Sequence, residues 1–128
     1  MRLAHAVSMA AKDDLGRAGE DRAAQHLTTH GYRILDRNWR CAQGEIDIVA
    51  EHDGVLGIVE VKTRRTIGFG HPFEAIDERK RQRLWRLGYA WAEEHRDLAG
   101  HRMLRLEVIG IVGADPATGT LEHLVDLR

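Results

Sequence analysis

The feature that most constrains this chain is Asp53-Gly54, set between two runs rich in β-branched residues, 45–51 (EIDIVAE) and 56–63 (LGIVEVKT). Asp-Gly takes the two-residue type I′ turn that joins antiparallel strands. A turn this short leaves the register no freedom, and facing residues have numbers that sum to 107. Ile46 then faces Val61, Ile48 faces Val59, and Ala50 faces Gly57. Side chains alternate across a strand, so these six share one apolar side, suited to a packed helix. On the other side Glu51 faces Leu56, Val49 faces Ile58, Asp47 faces Glu60, and Glu45 faces Lys62.

That second side is apolar near the turn and charged at its far end. Directly opposed residues have Cβ atoms about 5 Å apart, and like charges at that spacing destabilise a sheet. An Asp47–Glu60 pair therefore calls for a shared proton or a cation. A hard divalent ion is the natural partner, because Mg²⁺ takes a few carboxylate oxygens and keeps several waters. Lys62 lies two residues beyond Glu60 and on the same face, placed to orient a water or to meet charge on a phosphate oxygen. The plainer reading is a solvated strand end, with Glu45 paired to Lys62 and Asp47 exposed.

Asp13 or Asp14 can cap a helix that runs to about His30, where Gly31 stops it. Gly16, Glu20, Ala23 and Leu27 fall on one face of that helix. Glu20 thus sits among small and apolar residues, and Gly16 and Gly19 permit a close backbone approach. An acid in an early turn can also simply complement the helix dipole.

The remaining elements follow from pattern. Residues 32–39 (YRILDRNW) read as a strand, and 63–71 (TRRTIGFGH) as a basic, Gly-containing loop. Pro72 opens a helical stretch that ends near His95. Residues 102–111 (RMLRLEVIGI) read as a long strand and 121–127 as a short fifth one. Ahead of that fifth strand, the order α-β-β-β-α-β gives an α/β fold, a mixed sheet flanked by helices. The 128 residues make one domain, with residues 1–12 a flexible tail and 13–128 the folded unit. The opening residues only faintly resemble a signal peptide. No stretch is apolar enough to span a membrane, and a single cysteine, Cys41, excludes an internal disulfide or Cys-rich zinc site. These features point to the cytoplasm.

Net charge is −1, but it is segregated. Residues 1–61 carry 7 basic and 10 acidic side chains, whereas residues 62–86 carry 8 and 3. A basic segment thus follows an acidic one. His26 and His30 stand four apart on the first helix but have no third zinc ligand in view. Trp91 reads as core, and Trp85 as either core or a stacking surface.

Taken together, Gly19-Glu20, Arg37-Asn38-Trp39-Arg40, Gly44-Glu45-Ile46-Asp47 and Val59-Glu60-Val61-Lys62 resemble the YraN-like family of small bacterial proteins. That family is in turn similar to PD-(D/E)XK, or restriction-endonuclease-like, nucleases and to Holliday junction resolvases. The similarity spans about residues 15–111. It implies a restriction-endonuclease-like core and a Mg²⁺ or Mn²⁺ ion held by Asp47, Glu60 and the Val61 carbonyl. Glu20 would complete or support that site, and Lys62 would assist the attacking water. Lys80 matches a position at the start of the second main helix where lysine is frequent. Two departures stand out: Arg105-Leu106-Glu107 replaces the usual Arg-Phe-Asp, and no proline precedes Asp47.

The resemblance implies hydrolysis of DNA phosphodiesters, perhaps in branched or repair intermediates, by the catalytic set Glu20, Asp47, Glu60 and Lys62. Arg64, Arg65, Lys80 and Arg83 would hold the nucleic-acid backbone, with Arg79, Arg81 and Arg86 near them. A homodimer or a larger repair assembly is compatible with this size. The alternative is a non-catalytic module that binds nucleic acid or a partner and keeps the nuclease fold.

Overall fold

The computed structural model describes residues 2–68 and 70–127, with side chains from Asp14 onward. The chain runs α1 (Arg2–Thr29), β1 (Arg33–Cys41), β2 (Gly44–His52), β3 (Val55–Arg64), a 3₁₀ turn (Pro72–Ala75), α2 (Glu78–Glu94), a short α3 (Arg96–Ala99), β4 (Met103–Val112) and β5 (Thr120–Val125). The five strands form one sheet in the order β1-β2-β3-β4-β5. β3 and β4 are parallel, and every other neighbouring pair is antiparallel. The sheet is mixed, as the pattern implies, because α2 and α3 carry the chain from β3 over to β4. Among the described residues no helix is long and apolar enough to cross a membrane.

Asp53 and Gly54 have φ of 50° and 78°, the two positive values of a type I′ turn. The register from His52↔Val55 to Ile48↔Val59 follows the expected one residue for residue. Each face of the sheet then buries its own core. Ala23 and Leu27 of α1 pack with Ile48, Ala50, Val59, Ile109 and Ile111. Leu84, Leu87 and Trp91 of α2 pack with Val49, Leu56, Ile58 and Leu106. Fully burying one such side chain is worth about 1.5–3 kcal/mol, so these two layers clamp the sheet between the helices.

Two glycines set how closely the helices approach. A Cβ on Gly19 would lie 2.1 Å from Thr63 Oγ1, and one on Gly88 would lie 2.9 Å from Ile58 Cγ1. Both helices therefore touch β3 through a residue without a side chain. Gly16 has open space around its Cβ position and serves no such contact.

Several expectations need correction. α1 does not start at Asp13 or Asp14; its backbone is helical from Arg2, in keeping with the alanine-rich opening turns. The environment of the first thirteen side chains, and with it the expected tail, lies outside the described residues, as does Phe69 in the basic loop. The stretch after Pro72 is not one helix. The 3₁₀ turn ends at Ala75, and α2 begins afresh behind Asp77, whose side chain accepts a hydrogen bond from Lys80 N. β1 runs on to Cys41 and bulges at Leu35, between the pairs Ile34↔Ala50 and Asp36↔Val49. Trp91 is fully buried, and its indole N–H donates to Asp36 at 2.9 Å. Trp85 is half-buried and stacks on the exposed Tyr89.

Candidate active site

The β2–β3 ladder stops at Ile48↔Val59, one step short of the acidic pair. Asp47 and Glu60 are not a paired rung, nor are Ile46 and Val61 or Glu45 and Lys62. Instead the strands fork. The Asp47 carboxylate enters the gap, and its Oδ2 accepts a 2.8 Å hydrogen bond from Val61 N, a donor that the ladder would otherwise have used. Beyond the fork the faces change over. Ile46 and Trp39 pack with the α2 core, although Ile48 and Ala50 lie against α1. Like charges facing each other disfavour closing the Asp47–Glu60 step, and the Asp47 carboxylate takes the Val61 N–H that the next hydrogen-bonded pair, Ile46 with Val61, would have used.

Glu60 points to the α2 side and is 6% exposed. Two ammonium groups hold the same oxygen, Lys62 Nζ at 3.5 Å and Lys80 Nζ at 3.3 Å from Glu60 Oε1. Lys62 arrives from two residues along β3. Lys80 arrives from the first turn of α2, whose face Lys80-Leu84-Leu87-Trp91 is anchored by three buried side chains. The partner of Lys80 is therefore the Glu60 carboxylate.

Glu20 reaches the gap from α1, close enough to Asp47 and Asn38 for each to act on its ionisation. Asn38 belongs to β1 and has φ of 54°, a left-handed conformation that is rare in a strand. With its amide nitrogen turned toward the acids, Asn38 donates to Glu20 Oε2 at 2.9 Å and to Glu45 Oε1 at 3.1 Å. Glu45 also meets Arg40, Nε to Oε2 3.4 Å, and not the Lys62 expected of it.

The electrostatics reflect this crowding. Asp47 is pushed up to about 8, first by burial and then by the charge of Glu60, with Glu20 and Glu45 adding to it and the Val61 N–H opposing it. Glu20 is raised by burial and by Glu45, against the Asn38 hydrogen bond and Arg37. The Lys62 ammonium is lowered by burial and by Lys80, against the pull of Glu60. A carboxyl that shares a site with three others is stabilised as an anion by a cation and otherwise by a proton.

The oxygen donors Asp47, Glu60 and the Val61 carbonyl suit a hard divalent ion in kind. Among the described residues no three His, Cys, Asp or Glu side chains form a ready-made cage. Mg²⁺ does not require one, since it is commonly held by one or two carboxylates plus waters and substrate phosphate oxygens. The residues present fit that mode of binding.

The remaining basic residues surround the fork unevenly. Arg83 is exposed, with its Cδ 3.9 Å from the position of a Cβ on Gly44. Arg64 ends β3 and is half-buried, with its carbonyl accepting from Gly113 N, and Arg65 follows it fully in solvent.

Sequence reasoning left Glu107 without a role, and the structure supplies one. Glu107 is fully buried on the α1 side of β4. It accepts from Tyr32 Oη at 2.8 Å, His123 Nε2 at 2.6 Å and Arg105 Nε at 3.2 Å. His123 in turn meets His26 at 3.1 Å, so His26 is a half-buried partner and not a solvated residue. Nothing in the local pattern pairs residues 26, 32, 107 and 123, because α1, the start of β1, β4 and β5 meet only through the tertiary fold.

A forked mixed sheet with an acid from the first helix, two acids at the fork and lysines on the second acid defines an α/β protein of the restriction-endonuclease-like class. The chain belongs to the family described as "Uncharacterised protein family UPF0102", whose profile matches residues 19–111. That span opens on Gly19 and encloses Glu20, Asn38, Asp47, Glu60, Lys62, Lys80 and Glu107. Similar proteins include a UPF0102 protein of Paenarthrobacter aurescens, 48% identical over 118 residues, 92% of this chain and 96% of the relative. A UPF0102 protein of Pseudarthrobacter chlorophenolicus is 49% identical over 116 residues, covering 91% of this chain and 86% of the relative. One of Arthrobacter sp. (strain FB24) is 47% identical over 116 residues, covering 91% and 97%.

Proposed function

We propose that the protein is a Mg²⁺- or Mn²⁺-dependent nuclease that hydrolyses phosphodiester bonds in DNA, with branched or repair intermediates as the substrate class. The observation that supports this reading best is the fork, where the half-buried Asp47 meets the charges of Glu20, Glu45 and Glu60, the last already held by two lysines. Asp47, Glu60 and the Val61 carbonyl would hold the ion. When bound, it supplies water activation near neutral pH and charge neutralisation at the phosphate.

The chain's own residues supply the rest. Glu60 fixes Lys62 and Lys80 at the rim of the gap, where an ammonium can donate to a phosphate oxygen as negative charge develops on it. Lys62, whose ammonium is made easier to deprotonate by burial and by Lys80 against the pull of Glu60, is the group that would exchange a proton with the attacking water. Glu20 restrains Asp47 from the α1 side. Arg64, Arg65 and Arg83 would bind backbone phosphates on either side of the scissile one. In this reading the protein works in the cytoplasm, alone, as a homodimer or within a larger repair assembly.

One observation favours a second reading, a nucleic-acid- or partner-binding module without turnover: no ready-made cage of three side chains exists among the described residues. The two readings separate in one experiment. Wild type and Asp47→Ala are incubated with Mn²⁺ and a panel of duplex, flapped and four-way DNAs, and both cleavage and binding are measured. A nuclease cuts at least one substrate, and Asp47→Ala abolishes the cut while still binding DNA. Binding without cleavage by the wild type, unchanged or tightened in Asp47→Ala, supports the module instead.

A further inference from the structure

We propose that Asn38 is a positioning residue of this site: its amide ties Glu20 of α1 to Glu45 of β2 and so holds the acids that surround Asp47. The inference rests on the reading of the fork as a divalent-ion site, and it adds a residue to which that reading assigns no part.

Three features carry it. The first is chemical. Glu20 and Glu45 are like charges, and only a donor can stand between them. A primary amide has two N–H bonds on one nitrogen, one for each acid, at 2.9 and 3.1 Å. It restrains both without cancelling either charge, whereas an arginine there would bring a cation that competes with the metal.

The second is conformational. Asn38 has φ of 54° inside β1. A non-glycine residue in this region costs roughly 1–3 kcal/mol and persists where the surroundings over-determine it. Asparagine is among the side chains that tolerate it best, and glycine would do so at lower cost. Backbone stability alone would favour glycine here. The presence of asparagine is accounted for by its amide.

The third is positional. Asn38 falls between the pairs Arg37↔Ile48 and Trp39↔Ile46, level with Asp47 on β2. The left-handed residue lies beside the point where Ile46 and Trp39 change over to the α2 core. The residue whose amide meets the acids thus stands level with Asp47, where the β2–β3 pairing ends.

The test is Asn38→Gly, which keeps the backbone conformation accessible and deletes the amide. Thermal melting in EDTA and Mn²⁺ titration by calorimetry are measured on wild type, Asn38→Gly, Glu20→Gln and the double variant, with Asp47→Asn as the reference for the site itself. The expected result is that Asn38→Gly melts no lower than wild type yet binds Mn²⁺ about ten- to hundredfold more weakly, the usual cost of removing a residue that orients metal ligands. In the Glu20→Gln background the same change costs less, because a bond from Asn38 to a neutral amide oxygen is weaker than one to a carboxylate. Should Asn38→Gly bind Mn²⁺ as wild type does while Asp47→Asn loses binding, the positioning role is wrong and the site stands. Equal losses in both backgrounds also overturn the role. If wild type takes up no Mn²⁺, the site reading fails and the inference falls with it. If Asn38→Gly melts well below wild type, the amide is structural, and the inference is overturned.

Discussion

Replacing Glu107 by glutamine tests whether the buried network on β4 holds the fold together. Glu107 is completely buried and accepts three hydrogen bonds, from Tyr32 at 2.8 Å, His123 at 2.6 Å and Arg105 at 3.2 Å. Hydrogen bonds to a charged group contribute about 1.5–3 kcal/mol each. Glutamine matches the shape but carries an NH₂ where one oxygen was, so at least one of the three donors then faces a donor. Removing one partner of a buried ion pair costs roughly 3–5 kcal/mol. Arg105 and His123 keep 24% and 14% of their side-chain surface in water, which recovers part of the loss. The lower end, about 3 kcal/mol at pH 7, is the expected value. At roughly 3–4 °C per kcal/mol for a domain of this size, the melting temperature falls by about 10 °C. Burial opposes ionisation of Glu107, but the His123 and Tyr32 hydrogen bonds and the Arg105 charge outweigh it and hold its carboxyl below the ordinary 4.5. Its folded value is thus depressed, so the stability it contributes is present above the unfolded value and is lost as pH falls through the folded one. Urea unfolding of both proteins from pH 7 downward should show the full gap at pH 7 and a shrinking gap below about pH 4.5. A gap under about 1 kcal/mol at pH 7, or one that widens in acid, would refute the reasoning.

Gly19→Ala places a Cβ 2.1 Å from Thr63 Oγ1, 3.2 Å from its Cβ and 3.3 Å from its Cγ2, so the threonine must turn and still leaves a tight contact. The overpacking cost of about 1–3 kcal/mol exceeds the roughly 1 kcal/mol gain in helix propensity, and adding Thr63→Ala should restore the melting temperature. Arg64→Ala/Arg65→Ala should weaken DNA binding at 100 mM salt and flatten the log K against log salt slope by about 2, two phosphate contacts being lost; an unchanged slope removes this pair from the interface. Asp47→Asn should raise the melting temperature of the metal-free protein, since it removes a buried charge that three neighbouring acids oppose, and a lowered melting temperature would show that Asp47 is structural.

What the sequence makes legible here is what local chemistry determines. Asp53-Gly54 admits one turn, and that turn sets the register as far as Ile48↔Val59. Alternating apolar residues then assign each face of β3 to a helix. The expectation breaks at Asp47, where the same register implies a closed rung of two carboxylates. Like-charge repulsion and the Val61 N–H open that rung, and periodicity carries no sign of the opening. Asn38 did carry one, a polar residue between Arg37 and Trp39 in a strand, but a left-handed residue is recognisable in a strand only once the backbone is seen. The start of α2 is set by the Asp77 side chain on Lys80 N and not by Pro72, whose ring opens only the 3₁₀ turn. The Glu107 network was beyond reach, because its four elements are brought together only by the completed sheet.

The fold thus contains two buried acid environments, and comparing them shows how one chain keeps stability and reactivity apart. Around Glu107 every neighbour within reach is a donor, and its carboxyl is held in the anionic form. Around Asp47 one backbone donor stands against three carboxylates, and its carboxyl is pushed toward the protonated form. Burial is common to both and cannot be what distinguishes them. The difference lies in whether the fold supplies enough positive charge and donors of its own. At Glu107 it does, and nothing further needs to bind. At Asp47 the lysines that would supply them, Lys62 and Lys80, are both taken up by Glu60. The crowding of acids at the fork is therefore a property of the folded chain, and under the proposed function a cation from solution would relieve it where a proton otherwise does. Substitutions that neutralise the two acids should accordingly act in opposite directions on the metal-free protein, destabilising it at Glu107 and stabilising it at Asp47. If both destabilise, the fork is an ordinary piece of the framework, and the case for a cation site there is lost.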